Sequence, residues 1–433
     1  MTIPAMARPR LQRHLALVAL ALLAWACAAP TPSPSPSASA APTSASSAPA
    51  APSGSPSASA AGSQDPAVYT RINEQVQAIR GLDEKQPVVP KIVSQQELDD
   101  VLQTSMDHDY PAARMAGDEL LYKGLGLLPK DAKLADVFLE LLQSQVAGLY
   151  DPTTKSLYVL SKAGAVGPIE RFFYSHEYDH ALQDQHFDLE KLQSGLDDQS
   201  DRLLARQALV EGDAYTTMTY WLQANLTPAE TSEVLSQAND PAALEALQKI
   251  PPIIQAQIAF SATQGTFFVI GQQRTGGWPA IDADFAKPPD STEQILHPDK
   301  WTTREPPIEV KLPVDLAKRM GTGWTLDHED TFGEHQMGIW LGGVSQAAAA
   351  QGWGGDRIAL LKGPNDGWAI AWHTVWDSAA DAAEFETAAG FAVNGSPGKG
   401  SVLPGEGGTT RWVVLGSDAS VMDKLANVLG LAG

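Results

Sequence analysis

Apolar residues recur every three or four positions through most of the chain beyond residue 65, and this spacing is typical of amphipathic helices. The strongest stretch covers residues 169–187, where no Pro or Gly interrupts the pattern and Pro168 suits the first helical turn. A second strong helix is predicted at residues 201–222. Further helices are predicted at 94–105, 112–125, 132–147, 228–235, 240–249 and 253–270, and one short strand at 156–161. This part of the chain is therefore predicted to be mainly helical, with a short sheet.

The last hundred residues follow a different pattern. Strands predicted at 356–361 and 368–376 are joined by Gly-Pro-Asn-Asp-Gly, which is a hairpin signal. A third strand is predicted at 410–415, and helices are predicted at 334–351, 378–389 and 420–431. This α-β-β-α-β-α order predicts a compact α+β subdomain. The stretch before it is rich in Pro and Asp, and is predicted to be a long irregular connection.

The N-terminus differs from both regions. Three Arg residues precede an apolar run at residues 15–26, which is too short to span a bilayer and typical of a signal-peptide core. Ala24-Trp25-Ala26 suits ordinary signal cleavage, whereas Cys27, the only Cys of the chain, resembles the lipidated residue of a bacterial lipoprotein. A lone Cys has no disulfide partner, which favours the lipoprotein. The protein is therefore predicted to be exported and anchored to a membrane through a lipid, or else secreted.

Residues 28–63 consist only of Ala, Pro, Ser, Thr and Gly, and cannot bury enough apolar surface to fold. The predicted organisation is a signal peptide at 1–26, a disordered tether at 27–64, a main domain at 65–275, the irregular connection at 276–330 and the α+β subdomain at 331–433. Whether residues 66–130 act as a pro-segment stays open. A formal net charge of −21 argues against nucleic acid and anionic membrane surfaces as partners.

The candidate chemistry lies in the strongest helical stretch. Residues 176–180 read His-Glu-Tyr-Asp-His, which is the H-E-x-x-H signature of zinc hydrolases. Side chains four positions apart share one face of a helix, so His176 and His180 can bind a single Zn²⁺. Glu177 lies beside that face and is the predicted general base, which takes a proton from a water molecule that the ion has made more acidic. The alternative is a plain amphipathic helix.

A catalytic zinc usually has three protein ligands and one open position. Glu211 lies on the next strong helix among apolar neighbours, and is the predicted third ligand because a buried carboxylate needs a partner. His186 is the alternative, since its spacing after His180 matches the metzincin pattern H-E-x-x-H-x-x-G-x-x-H. That pattern has Gly where this chain has Gln183, and on a continuing helix six residues turn His186 about 240° away from His180.

The run H-E-Y-D-H-A-L-Q-D-Q-H-F from His176, with V-E-G-D-A from residue 210, resembles a group of uncharacterised bacterial zincin-like proteins of the gluzincin type, which are often secreted or lipoproteins. The resemblance covers about residues 75–390. It implies a zincin-like catalytic core and, by analogy with gluzincins, a metallopeptidase that acts on a peptide or protein substrate. Many gluzincins have an Asp four residues after the ligand Glu, where this chain has Tyr215.

The sequence leaves alternatives open for the residues that support the metal ligands and for the reaction itself. Asp184 and Asp201 are candidates for the carboxylate that orients a ligand histidine. Candidates for the donor that stabilises an oxyanion are His297, Tyr150 and His335. Arg357 is predicted to form a salt bridge that closes the C-terminal subdomain, rather than to bind a substrate carboxylate. The alternatives to peptide hydrolysis are a non-catalytic binding or scaffold lipoprotein with a zincin fold, and a zinc amidase that acts on cell-wall material.

Overall fold

The computed structural model describes residues 66–145, 148–160, 166–237, 245, 247–343 and 347–431. The predicted signal peptide, the tether and Cys27 lie outside these residues, as does most of the helix predicted at 240–249. Within them the protein belongs to the α+β class, as predicted, with 17 α-helices and two sheets.

Four helices begin the described chain. They are α1 (Pro66–Arg80), α2 (Gln95–Asp109), α3 (Ala112–Leu125) and α4 (Leu134–Gln145). Ser94 and Glu97 form a capping box at the start of α2, in which each side chain accepts a hydrogen bond from the backbone of the other residue. The bounds of α3 match the prediction, and Gly126 ends this helix in the left-handed conformation.

The first sheet has three strands, β1 (Lys91–Val93), β2 (Gly148–Asp151) and β3 (Ser156–Leu160). The predicted strand is β3, which lies in the middle, parallel to β1 and antiparallel to β2. The sequence predicted a turn from Tyr150 onwards, but β2 continues to Asp151 before the chain turns. Because β2 pairs with β3 alone in this sheet, it is an edge strand.

Helices α5 (Pro168–Phe187), α6 (Leu189–Gln193), α7 (Ser200–Asn225) and α8 (Pro228–Gln237) follow. The next helix runs without a break through α9 (Pro252–Ala259), a π-helical segment (Phe260–Gln264) and α10 (Gly265–Gly276). Its 25 residues are long and apolar enough to cross a membrane by length and composition, and 44% of its most apolar window is buried inside the protein.

Glycines bring α10 against α7. A Cβ atom on Gly212 would lie 2.2 Å from the carbonyl oxygen of Gly265, and one on Gly265 would lie 2.1 Å from that of Ala208. Any larger side chain would therefore push the two backbones apart. This close approach explains the Gly of the V-E-G-D-A run, and it packs α10 directly against α7.

Residues 276–330 are not the irregular connection that the sequence predicted. They contain the short helices α11 (Trp278–Ala286), α12 (Thr292–Leu296), α13 (Pro298–Thr303) and α14 (Leu316–Arg319), and the strand β4 (Thr325–Asp330). Ser291 caps α12, and a Pro occupies the first turn of α11 and of α13. Helices this short complete too few turns to show a clear apolar period.

The remaining strands are β5 (Trp353–Lys362), β6 (Trp368–Trp376), β7 (Lys399–Pro404) and β8 (Thr410–Gly416), and the remaining helices are α15 (Gly333–Trp340), α16 (Ala379–Gly395) and α17 (Ala419–Leu429). Together with β4 these strands form the second sheet, which has five antiparallel strands in the order β4-β5-β6-β8-β7. The edge strands β4 and β7 were not predicted. The helix predicted at 334–351 ends at Trp340, because Gly342 and Gly343 have positive φ angles.

One hydrophobic core joins the two ends of the described chain. Leu98 and Leu102 of α2 and Phe138 of α4 belong to the same cluster of buried residues as Trp353 and Trp372 of the second sheet. The predicted boundary at residue 331 therefore separates residues that share a core.

Candidate metal centre

Three polar side chains meet between α5 and α7, as the sequence predicted. Nε2 of His180 lies 3.0 Å from Nε2 of His176. The carboxylate of Glu211 reaches both, with one oxygen 3.4 Å from Nε2 of His176 and the other 3.7 Å from Nε2 of His180. All three residues are buried, and one ligand atom of each lies within 4.8 Å of the others. The i, i+4 spacing on α5 places the imidazoles one turn apart, and α7 supplies the acid from across the helix pair.

These separations fit a single small cation. Bonds of about 2.0–2.1 Å to a tetrahedral zinc ion place its ligand atoms about 3.3 Å apart. Burial lowers the pKa of His176 to about 3 and that of His180 to about 4. Both rings are therefore neutral near pH 7, and the neutral ring is the form that binds a metal. Two imidazoles and one carboxylate are a donor set that catalytic zinc sites use.

Glu177 is held in place by the first sheet. Its Oε2 atom accepts a hydrogen bond of 2.8 Å from the backbone N–H of Tyr150 in β2. Burial raises the pKa of Glu177 well above its usual value, and the negative charge of the nearby Glu211 raises it further. The hydrogen bond from Tyr150 lowers the pKa, but by less. A raised pKa suits a carboxylate that must both take up and return a proton.

The two carboxylates considered for orienting a ligand histidine bond elsewhere. Asp184 accepts a hydrogen bond of 2.7 Å from the hydroxyl of Tyr150 and pairs with Lys155 at 2.8 Å. Asp201 accepts hydrogen bonds from the backbone and the hydroxyl of Thr292. Both acids therefore support connections between elements instead of the metal ligands.

Gln183 is the residue that contacts the second ring nitrogen of a ligand histidine. Its Oε1 atom lies 2.9 Å from Nδ1 of His180, one turn along α5. The sequence pointed to Gln183 only as a sign that the helix continues. Nδ1 of His176 is buried and has no hydrogen-bond partner among the described residues. The two ligand histidines are thus supported differently.

The three candidates for an oxyanion donor make other contacts. The hydroxyl of Tyr150 donates to the aspartate described above. His297 pairs with Glu334 at 2.8 Å, and Nε2 of His335 lies 3.2 Å from the carbonyl oxygen of Ala256. These contacts give all three residues a structural role.

Tyr215 lies beside the ligands instead. Its ring centroid is 4.8 Å from that of His176, and the two rings meet edge to face. Burial, together with the carboxylates of Glu211 and Glu177, raises the pKa of Tyr215 well above its usual value. The hydroxyl therefore keeps its proton. The sequence marked the position of Tyr215, four residues after Glu211, without assigning it a role.

Two further predictions concern His186 and Arg357. Nε2 of the half-buried His186 lies 2.8 Å from the carbonyl oxygen of Asp83, so its partner is not one of the ligands. The guanidinium of Arg357 pairs with Asp198 at 2.6 Å and with Glu329 at 3.4 Å. Arg357 therefore forms a salt bridge, as predicted, but both of its partners precede residue 331. The bridge joins the second sheet to the segment before α7 and does not close the C-terminal subdomain on itself.

A second acidic cluster lies where α3 meets β4. Asp118, His328 and Asp330 could also surround a cation by distance alone. Arg114, however, lies 3.0 Å from Asp118 and 3.5 Å from Asp330. Because the guanidinium already supplies positive charge to both carboxylates, we interpret this cluster as an ion-pair network.

Comparison with known proteins reaches only the C-terminal part of the chain. Residues 320–424 match the model of a family described as Domain of unknown function (DUF8575). The match covers all five strands of the second sheet, and the three candidate ligands lie before it. No curated protein and no solved structure matches the chain.

Proposed function

We propose that this protein is a zinc-dependent hydrolase that cleaves peptide bonds, with His176, His180 and Glu211 as the zinc ligands. The observation that supports this best is the convergence of two neutral imidazoles and one carboxylate in a buried position, with a second carboxylate beside them. A zinc ion bound there supplies a Lewis acid and lowers the pKa of a coordinated water to about 7.

The role of Glu177 in this reaction is proton transfer. The N–H of Tyr150 holds one carboxylate oxygen, Oε2, and the other oxygen, Oε1, is the proposed proton acceptor. Glu177 takes the proton of that water and returns it to the nitrogen of the leaving amine. Edge strand β2 lies directly beside this carboxylate, and an edge strand can pair with an extended peptide. This neighbourhood favours a peptide substrate.

Metal analysis of the purified protein is the first test. We expect one zinc per chain in the wild type and none after His176→Ala. The matched control is His186→Ala, which removes a half-buried histidine of the same helix and should leave the zinc content unchanged. Wild-type protein that holds no stoichiometric transition metal after incubation with zinc would contradict the proposal.

Glu177→Gln then tests catalysis separately from metal binding. We expect zinc to stay bound and the rate of peptide hydrolysis to fall by about 10²–10⁴-fold, because the proton acceptor is lost. A peptide library and muropeptides should be assayed in parallel. Cleavage of muropeptides alone would favour the amidase, and zinc binding without turnover of either substrate would favour the scaffold.

Export and lipid anchoring form a separate part of the proposal. The apolar run at 15–26 and the lone Cys27 support it. Expression in a bacterium fed with labelled palmitate should label the wild type but not Cys27→Ser. Equal labelling of both would contradict a lipid at Cys27.

A further inference from the structure

The side chain of Gln183 joins the two ligand-bearing helices. It is fully buried. Its Nε2 atom lies 3.0 Å from the carbonyl oxygen of Val210, 3.1 Å from Oδ2 of Asp213 and 3.2 Å from Oδ2 of Asp179. Val210 directly precedes the ligand Glu211, so one amide group on α5 contacts the backbone of α7 at the third ligand.

These neighbours determine which way the amide points. The backbone carbonyl of Val210 can only accept a hydrogen bond, so the amide nitrogen must face it. The amide oxygen must then face His180, whose Nδ1 atom is 2.9 Å away. An oxygen acceptor there requires the proton of the neutral ring to be on Nδ1. Nε2 of His180 is consequently left with its lone pair, directed towards His176 and Glu211.

Helix α1 supports Gln183 through Asp213. Arg80, the last residue of α1, is fully buried. Its Nε atom donates to both carboxylate oxygens of Asp213, at 2.8 and 3.0 Å, and its Nη2 atom lies 2.8 Å from Asp282. Its guanidinium also lies 4.7 Å from the ring centroid of Trp278. Arg80 therefore compensates the buried charge of Asp213, which in turn accepts from Gln183.

We propose that Gln183, fixed by Asp213 and Arg80, is a positioning residue that sets the tautomer of His180 and so presents its Nε2 atom to the metal. This inference rests on the zinc site proposed above and goes beyond it, because it makes α1 part of that site. Residues 66–80 are then integral to the active protein and are not a removable pro-segment.

The tautomer can be measured directly on the metal-free wild type. In the full chain labelled with ¹⁵N-histidine, the two ring nitrogens of neutral His180 have different chemical shifts, and a His180→Gln variant assigns the signals. We expect the proton on Nδ1. A proton on Nε2 would overturn the inference, whatever the protein binds.

Gln183→Met tests the effect on the metal, since it keeps the length of the side chain and removes its hydrogen bonds. We expect the zinc dissociation constant, measured by competition with a chelator, to rise by about 10–100-fold. The visible spectrum of the cobalt-substituted protein should change as well, because the geometry of the ligands changes. Gln193→Met, at another buried glutamine, is the control and should leave both measurements unchanged.

Arg80→Lys supplies a second variant that keeps the positive charge but loses the planar guanidinium, whose Nε and Nη2 atoms contact Asp213 and Asp282. We expect weaker zinc binding than in the wild type, with unchanged far-ultraviolet circular dichroism. Gln183→Met and Arg80→Lys proteins that bind zinc within threefold of the wild type, with the same cobalt spectrum, would overturn the inference. If the wild type itself binds no zinc, the proposed function fails first, and the tautomer measurement still decides the orientation of the amide.

Discussion

Two buried carboxylates, one in the helical region and one in the second sheet, have very different hydrogen-bond partners. Asp356 in β5 accepts four hydrogen bonds of 2.8–2.9 Å, two from backbone N–H groups and two from Trp indole N–H groups. Glu211 in α7 has two imidazole nitrogens beside it, at 3.4 and 3.7 Å. Both acids are almost fully buried.

The difference separates an acid that the fold stabilises from an acid that we propose binds a metal. Burial of a carboxylate costs several kcal/mol unless hydrogen bonds or charges compensate it. Four donors compensate Asp356, and two of them, the backbone N–H groups of Phe332 and Gly333, hold β5 to the start of α15. The neighbours of Glu211 are neutral rings, so a cation is the partner that suits this carboxylate. The number of donors around a buried acid therefore indicates whether the fold or a ligand stabilises it.

Paired amide substitutions test this comparison most strongly. Glu211→Gln should weaken zinc binding by at least about 10³-fold, because one of three ligands is lost, while the metal-free protein keeps its stability. Asp356→Asn should keep zinc binding but lower the free energy of unfolding by about 2–4 kcal/mol, because indole and backbone donors lose their acceptors. Chelator competition and urea denaturation measure the two effects. If each variant changed the property assigned to the other, the comparison would fail.

Removal of the metal should separate the same two variants. With free zinc at 1,000 times its dissociation constant, bound metal stabilises the folded protein by about 4 kcal/mol. A chelator should therefore lower the stability of the wild type and of Asp356→Asn by similar amounts, and leave Glu211→Gln unchanged. Differential scanning calorimetry provides the measurement. A wild type that melts at the same temperature with and without chelator would contradict the prediction.

The ion-pair network around His328 should make stability depend on pH. Burial lowers the pKa of His328, but Asp118 and Asp330 raise it more, to about 9, with Arg114 close by. A raised pKa means that the stabilisation is complete below pH 6.5, the unfolded value, and is lost as the pH rises through 9. We expect a loss on the order of 2–3 kcal/mol in urea denaturation across this range.

His328→Gln is the control for this effect. Its free energy of unfolding should lie below that of the wild type at pH 6 and approach it at pH 9.5. Two pH profiles that stay parallel would show that His328 does not cause the dependence.

Arg357→Ala should have the smallest effect. Its partner Asp198 is half exposed, so the ion pair is screened by solvent and is worth about 0.5–1 kcal/mol. Zinc binding and hydrolysis should not change. A large rise in the KM for a peptide substrate, without loss of stability, would instead support the alternative that Arg357 binds a substrate carboxylate.

Local patterns predicted the elements that are long or strongly periodic. The bounds of α3 and of the strand at Trp368–Trp376 match the prediction, and α5 differs from it by one residue at its start. The edge strand Thr325–Asp330 was missed because its sequence, TLDHED, is mostly polar and its residues are mostly exposed or half-buried. A strand with neither face fully buried has no alternation to detect.

The same limit applies to the candidate metal centre. His176, Glu177 and His180 form a local motif, and Glu211 was found from the burial that its neighbours predict. Gln183 was missed although its contact with His180 lies within one helical turn. Its support was missed because the contacts with Val210, Asp213 and Arg80 depend on tertiary structure. The ion pair between Arg80 and Asp213 joins residues 133 positions apart, and no pattern within a helix shows such a contact.

The core shared by the N-terminal helices and the second sheet affects how this protein can be divided. The stretch that matches a family model begins at residue 320 and contains Trp353 and Trp372, whose apolar neighbours in the same cluster include Leu98 and Phe138. Cut out at those limits, the sheet would present bare indole and aliphatic surface to water, which favours aggregation. The limits of a sequence family and those of a foldable fragment are therefore different here.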